Sequence, residues 1–150
     1  MNSLKINQIL ERDTFAKDFF YGVLARDQLP RNIKYPSSFI INTDVSSKPG
    51  EHWLAIFYDK NGVCEFFDPL GFSPKYYKLD DYLKTTSTKF YYNTQQMQGI
   101  FSKYCGHYCI LYLLVKSRQY NLTFFLKLFT KNTKFNDEMI EKIIKENFFV

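Results

Sequence analysis

The sequence is poor in the side chains that most often carry chemistry at neutral pH. Among its 150 residues are two histidines, three cysteines and one tryptophan. It lacks an apolar run of about 18 residues, so we expect no membrane-spanning segment. Its first residues, MNSLK, do not resemble a signal peptide. An odd number of cysteines without an export signal favours reduced thiols. We therefore expect a protein that is not secreted.

Internal repeats, low-complexity tracts and linkers rich in proline, glycine or serine are also missing, so no domain boundary is predicted. The composition, 45% hydrophobic and 19% aromatic, is typical of a folded globule. We predict a single domain over residues 1–150. The net charge of +5 permits contact with nucleic acid, but the lysines are scattered, which is more typical of a solvated surface.

Hydrophobic patterning predicts an α+β fold with a mostly antiparallel central sheet. The segment 106–118 is apolar almost all round, which indicates a buried helix packed against that sheet. Residues 25–30 and 46–50 are predicted as a loop and a turn. The predicted helices cover residues 4–11, 14–21, 79–83, 106–118, 124–129 and 137–147, and the predicted strands cover residues 39–43, 53–58, 63–67 and 89–93.

A predicted hairpin brings a histidine close to an acid. The Asn-Gly pair at 61–62 is a strong signal for a tight turn between strands 53–58 and 63–67. With the turn centred near residues 60–61, opposed residues have numbers that sum to about 120 or 121. His52 then lies beside Asp68, and cross-strand neighbours are about 5 Å apart at Cβ. A register slip of one residue would move one side chain to the other face.

Cys105 stands at the start of the predicted buried helix, where the helix dipole favours a thiolate. Gly106 follows it and has no side chain to obstruct an incoming carbonyl group. His52 has an acid nearby and can take the thiol proton, while Asp68 can orient the imidazole. Gln98 and the backbone N–H of Cys105 can stabilise a tetrahedral oxyanion. These residue types together predict nucleophilic catalysis by a cysteine.

Each residue taken alone has a simpler interpretation. A cysteine on an apolar element is usually core packing, which is our interpretation of Cys64 and Cys109. A histidine at a strand end can be a partly exposed surface residue. Asp68, just before a proline, can be a turn former. Trp53 is either a packed aromatic residue or part of a cleft wall.

A metal site is the alternative use of the cysteine and histidine cluster. Cys105, His107 and Cys109 are close in sequence, but no convincing second pair of ligands exists. We therefore predict no metal. His107 follows the cysteine too closely to act as its base, and we interpret it as a structural or cleft-wall residue.

The joint pattern resembles the adenovirus proteinase (adenain) family of cysteine peptidases. The resemblance covers roughly residues 20–117 and rests on order and spacing, because each motif alone is weak. It implies an adenain-like fold with His52, Asp68 and Cys105 as catalytic triad, Gln98 in the oxyanion hole, and Trp53 and Gly106 lining the cleft. The motifs that carry it are GEHW at 50–53, FDPLG at 67–71 and QGIFSKYCG at 98–106, with DQLP at 27–30 and INT at 41–43 upstream.

The nearest rival family comprises the deconjugases of SUMO and ubiquitin-like proteins. Their glutamine usually lies six residues before the cysteine, whereas Gln98 lies seven before Cys105, as in adenain. Their cysteine usually follows an aspartate, and here Tyr104 stands in that place. The triad acid is Asp68, where mammalian adenovirus enzymes carry glutamate. Ser87 stands at the distance of the family's peptide-binding cysteine, so we expect no disulfide-tethered peptide activator.

The resemblance implies a maturation endopeptidase of a virus or virus-like mobile element. It would act in the virion and host cell, in nucleus or cytoplasm, and cleave capsid or core precursor proteins near small residues such as glycine. We expect a monomer that needs no cofactor, although the resemblance allows activation by a peptide or DNA. The alternatives are a deconjugase of ubiquitin- or SUMO-like modifiers and a non-catalytic binding module with the same fold.

Overall fold

The structure, a computed structural model, describes residues 1–48 and 51–148. Within these ranges, five helices and five strands are connected by short loops and 3-10 turns. The helices are α1 (Ser3–Arg12), α2 (Asp80–Thr86), α3 (Cys105–Ser117), α4 (Leu122–Leu126) and α5 (Thr133–Phe148), and the strands are β1 (Phe20–Ala25), β2 (Ser37–Asn42), β3 (Trp53–Tyr58), β4 (Val63–Phe67) and β5 (Lys89–Tyr92).

The strands form one mixed sheet in the order β1-β2-β3-β4-β5. β2, β3 and β4 pair antiparallel, while β1 runs parallel to β2 and β5 runs parallel to β4. The predicted α+β class is confirmed. Antiparallel pairing holds for the three central strands, but both edge strands are parallel to their neighbours. As a result, the C-terminal ends of β4 and β5 lie beside the N-terminal end of β3, at one end of the strands.

The β3–β4 hairpin has the predicted strands but a different register. Ala55 pairs with Phe67 and Ile56 with Phe66, so the numbers of paired residues sum to 122 rather than 120 or 121. In this register Asp68 lies two positions along the ladder from the residue opposite His52. A displacement of two residues keeps the side chain on the same face, because the side-chain period of a strand is two.

The N-terminal prediction is partly wrong. The expected helix 4–11 is present as α1, and Asn2 caps it, since its Oδ1 accepts a hydrogen bond from the Lys5 backbone N–H at 2.9 Å. The expected helix 14–21 is a 3-10 turn at Ala16–Asp18 followed by β1. Aromatic and β-branched residues favour a strand at this position, and pairing with β2 supplies its hydrogen bonds. The predicted turn 46–50 extends over residues 49–50, which lie outside the described residues.

The buried helix predicted over 106–118 is confirmed as α3, and it packs against β3, α1 and α5. Its side chains interlock with the sheet, for example where the ring of Tyr112 stacks on Phe67 with centroids 4.6 Å apart. Each such fully buried side chain contributes about 1.5–3 kcal/mol. This packing holds Cys105, the first residue of α3, near the N-terminal end of β3. No helix in the described ranges is long and apolar enough to cross a membrane.

Candidate active site

The hairpin brings His52 and Asp68 into direct contact at the end of the sheet where β3 begins and β4 ends. His52 directly precedes β3 and Asp68 directly follows β4. Nε2 of His52 lies 2.8 Å from Oδ1 of Asp68. The Asp68 side chain is completely buried and that of His52 is 12% exposed. The predicted juxtaposition is therefore present, although the register differs from the one expected.

The Asp68 carboxylate is surrounded by hydrogen-bond donors. Its Oδ1 also accepts from the backbone N–H of Leu70 at 2.9 Å. Its Oδ2 accepts from the backbone N–H of Phe72 at 3.2 Å and from the Tyr77 hydroxyl at 2.5 Å. The backbone of Asp68 is fixed too, because the Asn93 side chain bonds both its N–H, at 3.0 Å, and its carbonyl, at 2.7 Å. Donors therefore surround both oxygens of this carboxylate and fix its orientation.

A tight turn after β4 supplies two of these donors. The Gly71 N–H donates to the Asp68 carbonyl at 2.9 Å, and Gly71 has φ +81, a conformation that favours glycine. A Cβ at this position would lie 2.7 Å from the Thr94 carbonyl oxygen. The glycine therefore allows the turn to pack closely against the segment that follows β5.

Cys105 is the first residue of α3, is 8% exposed and lines the same cleft as His52. Its thiol interacts with the imidazole of His52. Because Asp68 occupies Nε2, Nδ1 is the nitrogen left for the thiol. Burial alone would raise the pKa of the Cys105 thiol. The hydrogen bond and positive charge of His52, together with N–H groups of Trp53 and Gly106, outweigh burial and lower that pKa below its ordinary value.

The pKa of His52 is shifted in the complementary direction. Burial disfavours the charged ring and would lower this pKa. Hydrogen bonds and negative charge from Asp68 and Cys105 outweigh burial and raise the pKa of His52 to about 9. A thiol with a lowered pKa beside an imidazole with a raised one is the condition for a thiolate–imidazolium pair at neutral pH.

The remaining cysteines and histidine differ from this pair. Burial raises the pKa of Cys64 and of Cys109 well above the ordinary value of a thiol, so both stay protonated at neutral pH. Burial lowers the pKa of His107 to about 4, and its ring packs edge-on against Tyr104 with centroids 5.0 Å apart. These properties agree with the interpretation of Cys64 and Cys109 as core residues and His107 as structural.

Gln98 lies beside Cys105 in the cleft and is 2% exposed. Its Nε2 donates to the Ser102 carbonyl at 2.8 Å, and an amide nitrogen carries a second hydrogen that can reach a ligand. Its Oε1 is buried and has no partner among the described residues. The Ser102 hydroxyl in turn accepts from the backbone N–H of Tyr104, the residue before α3. This short connection links the amide to the start of α3.

The cleft that contains these groups has a volume of about 860 Å³. Trp53 lines it and donates from its indole Nε1 to the Met1 carbonyl at 3.2 Å. Gly106 is buried beneath this ring, and a Cβ there would lie 3.2 Å from the Trp53 Cδ1 and 3.5 Å from Ile6. Gly106 therefore makes room for the tryptophan that forms the wall.

Two residues that hold the acid were missed from the sequence. Tyr77 lies in the 3-10 turn Pro74–Tyr77, and its ring also stacks beside that of His52 with centroids 6.1 Å apart. Asn93 directly follows β5, and only the parallel pairing of β5 with β4 brings it to Asp68. Neither residue belongs to a local pattern that could have shown its partner. Within the described ranges no group of three or more His, Cys, Asp or Glu could hold a metal ion.

Comparison with solved structures identifies a similar fold. The crystal structure of a protease from African swine fever virus superimposes with a TM-score of 0.70 and 20% sequence identity, covering 99% of this chain and 67% of that one. The adenain-like fold that the resemblance implied is confirmed by this match.

Sequence comparison identifies viral protease relatives. The protease of human adenovirus A serotype 12 is 33% identical over 115 residues, 67% of this chain and 52% of the relative. A cysteine protease of African swine fever virus is 28% identical over 120 residues, 69% of this chain and 40% of the relative, and another isolate's protein at the same identity is named a SUMO-1 cysteine protease. The chain thus spans about half or less of the length of these relatives. The profile of the adenovirus endoprotease family matches residues 20–147, and the chain belongs to that family.

Proposed function

We propose that this chain is a viral cysteine endopeptidase in which Cys105 is the nucleophile, His52 the general base and acid, and Asp68 the orienting carboxylate. The observation that carries the proposal is the 2.8 Å bond between His52 and the buried Asp68, on an imidazole that also lowers the pKa of the Cys105 thiol. Family membership supports the same assignment.

In the first half of the reaction the Cys105 thiolate attacks the scissile carbonyl carbon, and a C–S bond forms. The carbonyl oxygen becomes an oxyanion that the backbone N–H of Cys105 and the free amide hydrogen of Gln98 stabilise. The tetrahedral intermediate then collapses and the C–N bond breaks. The imidazolium of His52 gives its proton to the leaving amine, and an acyl-enzyme remains.

In the second half His52, now neutral, takes a proton from water. The resulting hydroxide attacks the thioester, and the C–S bond breaks to release the carboxylic acid product and the thiolate. Asp68 keeps the same ring nitrogen protonated throughout, since its bond to Nε2 fixes the tautomer. Metal chemistry plays no part in this scheme.

The substrates we propose are capsid or core precursor proteins, cut beside small residues such as glycine in the infected cell and virion. The support is the family to which the chain belongs and the viral proteases it resembles. We expect the chain to act as a monomer without a resident cofactor. A peptide or DNA activator is a separate proposal, which assays with and without added DNA or precursor-derived peptide would test.

The direct experiment is cleavage of a fluorescence-quenched, glycine-rich precursor peptide. Wild type should cleave it and form a covalent acyl-enzyme on Cys105, visible by mass spectrometry. The Cys105→Ala variant should be inactive, whereas the matched Cys109→Ala control, four residues further along α3, should retain activity. Equal cleavage by wild type and Cys105→Ala would end the proposal.

A second candidate function is removal of a SUMO- or ubiquitin-like modifier. It is favoured by the relative named a SUMO-1 cysteine protease. An electrophilic probe made from SUMO or ubiquitin would separate the two candidates. Covalent capture at Cys105 by such a probe, with no cleavage of precursor peptides, would select the deconjugase. Absence of both reactions would leave a non-catalytic binding module.

A further inference from the structure

The loop between β5 and α3 carries Gln98 and is fixed to two different parts of the molecule. The backbone N–H groups of Met97 and Gln98 both donate to the Pro69 carbonyl, at 2.9 and 3.1 Å. Pro69 directly follows the acid Asp68, so these bonds tie the loop to the acid. On the other side, the buried Asn136 of α5 donates to the Met97 carbonyl at 3.1 Å.

Asp137 of α5 makes the next contact along this loop. Its Oδ2 accepts the backbone N–H of Gly99 at 3.2 Å. Its Oδ1 accepts the Tyr108 hydroxyl at 2.7 Å, and the same hydroxyl lies 3.3 Å from the Met97 carbonyl. Tyr108 is fully buried on α3, three residues after Cys105. One carboxylate therefore bridges the residue after Gln98 to the helix that begins with the proposed nucleophile.

Gly99 is suited to this close approach. A Cβ at Gly99 would lie 3.1 Å from Oδ2 of Asp137, closer than ordinary contact. Hydrogen bonds to a charged acceptor are stronger than those between neutral groups, so this carboxylate restrains the Gln98–Gly99 peptide more firmly than a neutral partner would.

We propose that Asp137 is a positioning residue that holds the Gln98–Gly99 peptide against α3 and so aims the Gln98 amide at the oxyanion. The inference rests on the proposed function, in which Gln98 stabilises the oxyanion. Asp137 does not contact the substrate and acts only through Gln98. The loss of rate on removing Asp137 therefore cannot exceed the loss on removing the Gln98 amide. For one oxyanion donor that loss is about 10²–10³-fold.

The test compares Asp137→Ala with Asp137→Asn. Alanine removes both bonds, and we expect kcat to fall about 10–100-fold, since small displacements of catalytic groups have effects of this size, while KM stays unchanged. Asparagine keeps one oxygen for the Gly99 N–H, and its amide can donate to the Tyr108 hydroxyl. We therefore expect partial rescue. Glu138→Gln, an exposed neighbour on the same helix, is the matched control and should behave as wild type.

Two further measurements separate positioning from general damage to the fold. Alkylation of Cys105 by iodoacetamide forms no oxyanion, so its rate should be unchanged in Asp137→Ala. Acylation by p-nitrophenyl acetate does form one, and its rate should fall. Tyr108→Phe, which removes only a hydroxyl from the network, should show the same pattern more weakly and provides a second variant if Asp137→Ala does not fold.

The double variant Gln98→Ala with Asp137→Ala decides the mechanism. If Asp137 acts through Gln98, the double variant should be no slower in acylation than Gln98→Ala alone. Additive losses, an equal fall in alkylation, or no change in acylation would each overturn the proposal. Because the ester reports acylation directly, a wild type that acylates but cleaves no peptide would refute the proposed function and leave this inference standing.

Discussion

The two ends of the β3–β4 hairpin carry the same turn chemistry with different consequences. At one end, Asp59 Oδ1 accepts the backbone N–H groups two and four residues later, at 2.8 and 3.0 Å. At the other, Asp68 accepts N–H groups at the same two offsets, at 2.9 and 3.2 Å. Gly62 and Gly71, each three residues after its aspartate, have φ of +77 and +81 and donate to the aspartate carbonyl at 3.0 and 2.9 Å.

The difference lies in what surrounds each carboxylate. Asp59 is partly exposed, and among the described residues its carboxylate bonds only N–H groups of its own turn. Asp68 is fully buried and accepts two further bonds, from His52 and Tyr77. The interpretation of Asp68 as a turn former is therefore correct and incomplete. A local turn sets the carboxylate in place, and tertiary packing gives it a second set of partners that Asp59 lacks.

The largest expected contrast is between Asp68→Asn and Asp59→Asn. All four partners of the Asp68 carboxylate donate, so an asparagine amide would face a donor and the charge on His52 would lose its partner. We expect kcat/KM to fall about 10²–10⁴-fold and the free energy of unfolding to fall by about 1–3 kcal/mol. Asp59→Asn should keep activity within about two-fold, as a surface substitution usually does. Similar activity losses in both variants would remove the distinction.

The second contrast concerns pH. The pKa of His52 is raised from 6.5 to about 9 in the folded protein, so the folded state binds this proton more tightly than the unfolded chain. Its contribution to stability is fully present below pH 6.5 and is lost as the pH rises through about 9. Activity that needs the protonated ring should decline over the same upper range. In Asp68→Asn this upper limit of the kcat/KM profile should move to lower pH, whereas Asp59→Asn should leave it in place.

The two glycines provide the third contrast. Gly71→Ala and Gly62→Ala should each cost at least about 1–2 kcal/mol for the left-handed conformation alone, and each new Cβ also meets a neighbour, the Thr94 carbonyl or the Tyr35 ring. Both variants should therefore unfold at lower denaturant concentration. Only Gly71→Ala should also lower kcat, because it displaces the turn that holds Asp68. Gly22→Ala, with open space around the new Cβ, is the control.

The smallest contrast is between two tyrosine hydroxyls. Tyr77 donates to Asp68 at 2.5 Å and Tyr35 donates to the Thr86 carbonyl at 2.6 Å. Removal of either hydroxyl should cost about 1 kcal/mol of stability. Because Tyr77 bonds Asp68, the proposed orienting carboxylate, Tyr77→Phe should also lower kcat by about five-fold, the rate equivalent of that energy. Tyr35→Phe should leave kcat unchanged, and a five-fold loss there would contradict the assignment.

The same comparison explains how far the sequence could be interpreted. The strands on both sides of Asn61 and Gly62 were predicted with the correct bounds, because a tight turn and its two strands are specified locally. The contact between His52 and Asp68 was expected from that hairpin. It survived an error in register because, measured from the expected pairing of His52 with Asp68, the shift was two residues and so kept both side chains on one face.

Features that depend on distant partners were not predicted. β1 was not predicted, and the helix expected over 14–21 included its first two residues, because the hydrogen bonds of β1 come from parallel pairing with β2, which no local pattern shows. The bonds of Tyr77 and Asn93 to Asp68, and of Asp137 to Gly99, join segments that only the folded sheet brings together. The order of His52, Asp68, Gln98 and Cys105 indicated the family. The supports of these residues became visible only in the structure.

The most direct measurement of the central claim is the rate at which each cysteine reacts with iodoacetamide at pH 7, determined by peptide mass spectrometry. The claim is that Cys105 is ionised beside His52 while Cys64 and Cys109 are protonated in the core. We predict that Cys105 is labelled at least about ten-fold faster than either of the others and that His52→Ala removes this advantage. Equal labelling of the three cysteines in the folded protein, or a Cys105 rate that does not depend on His52, would contradict the account.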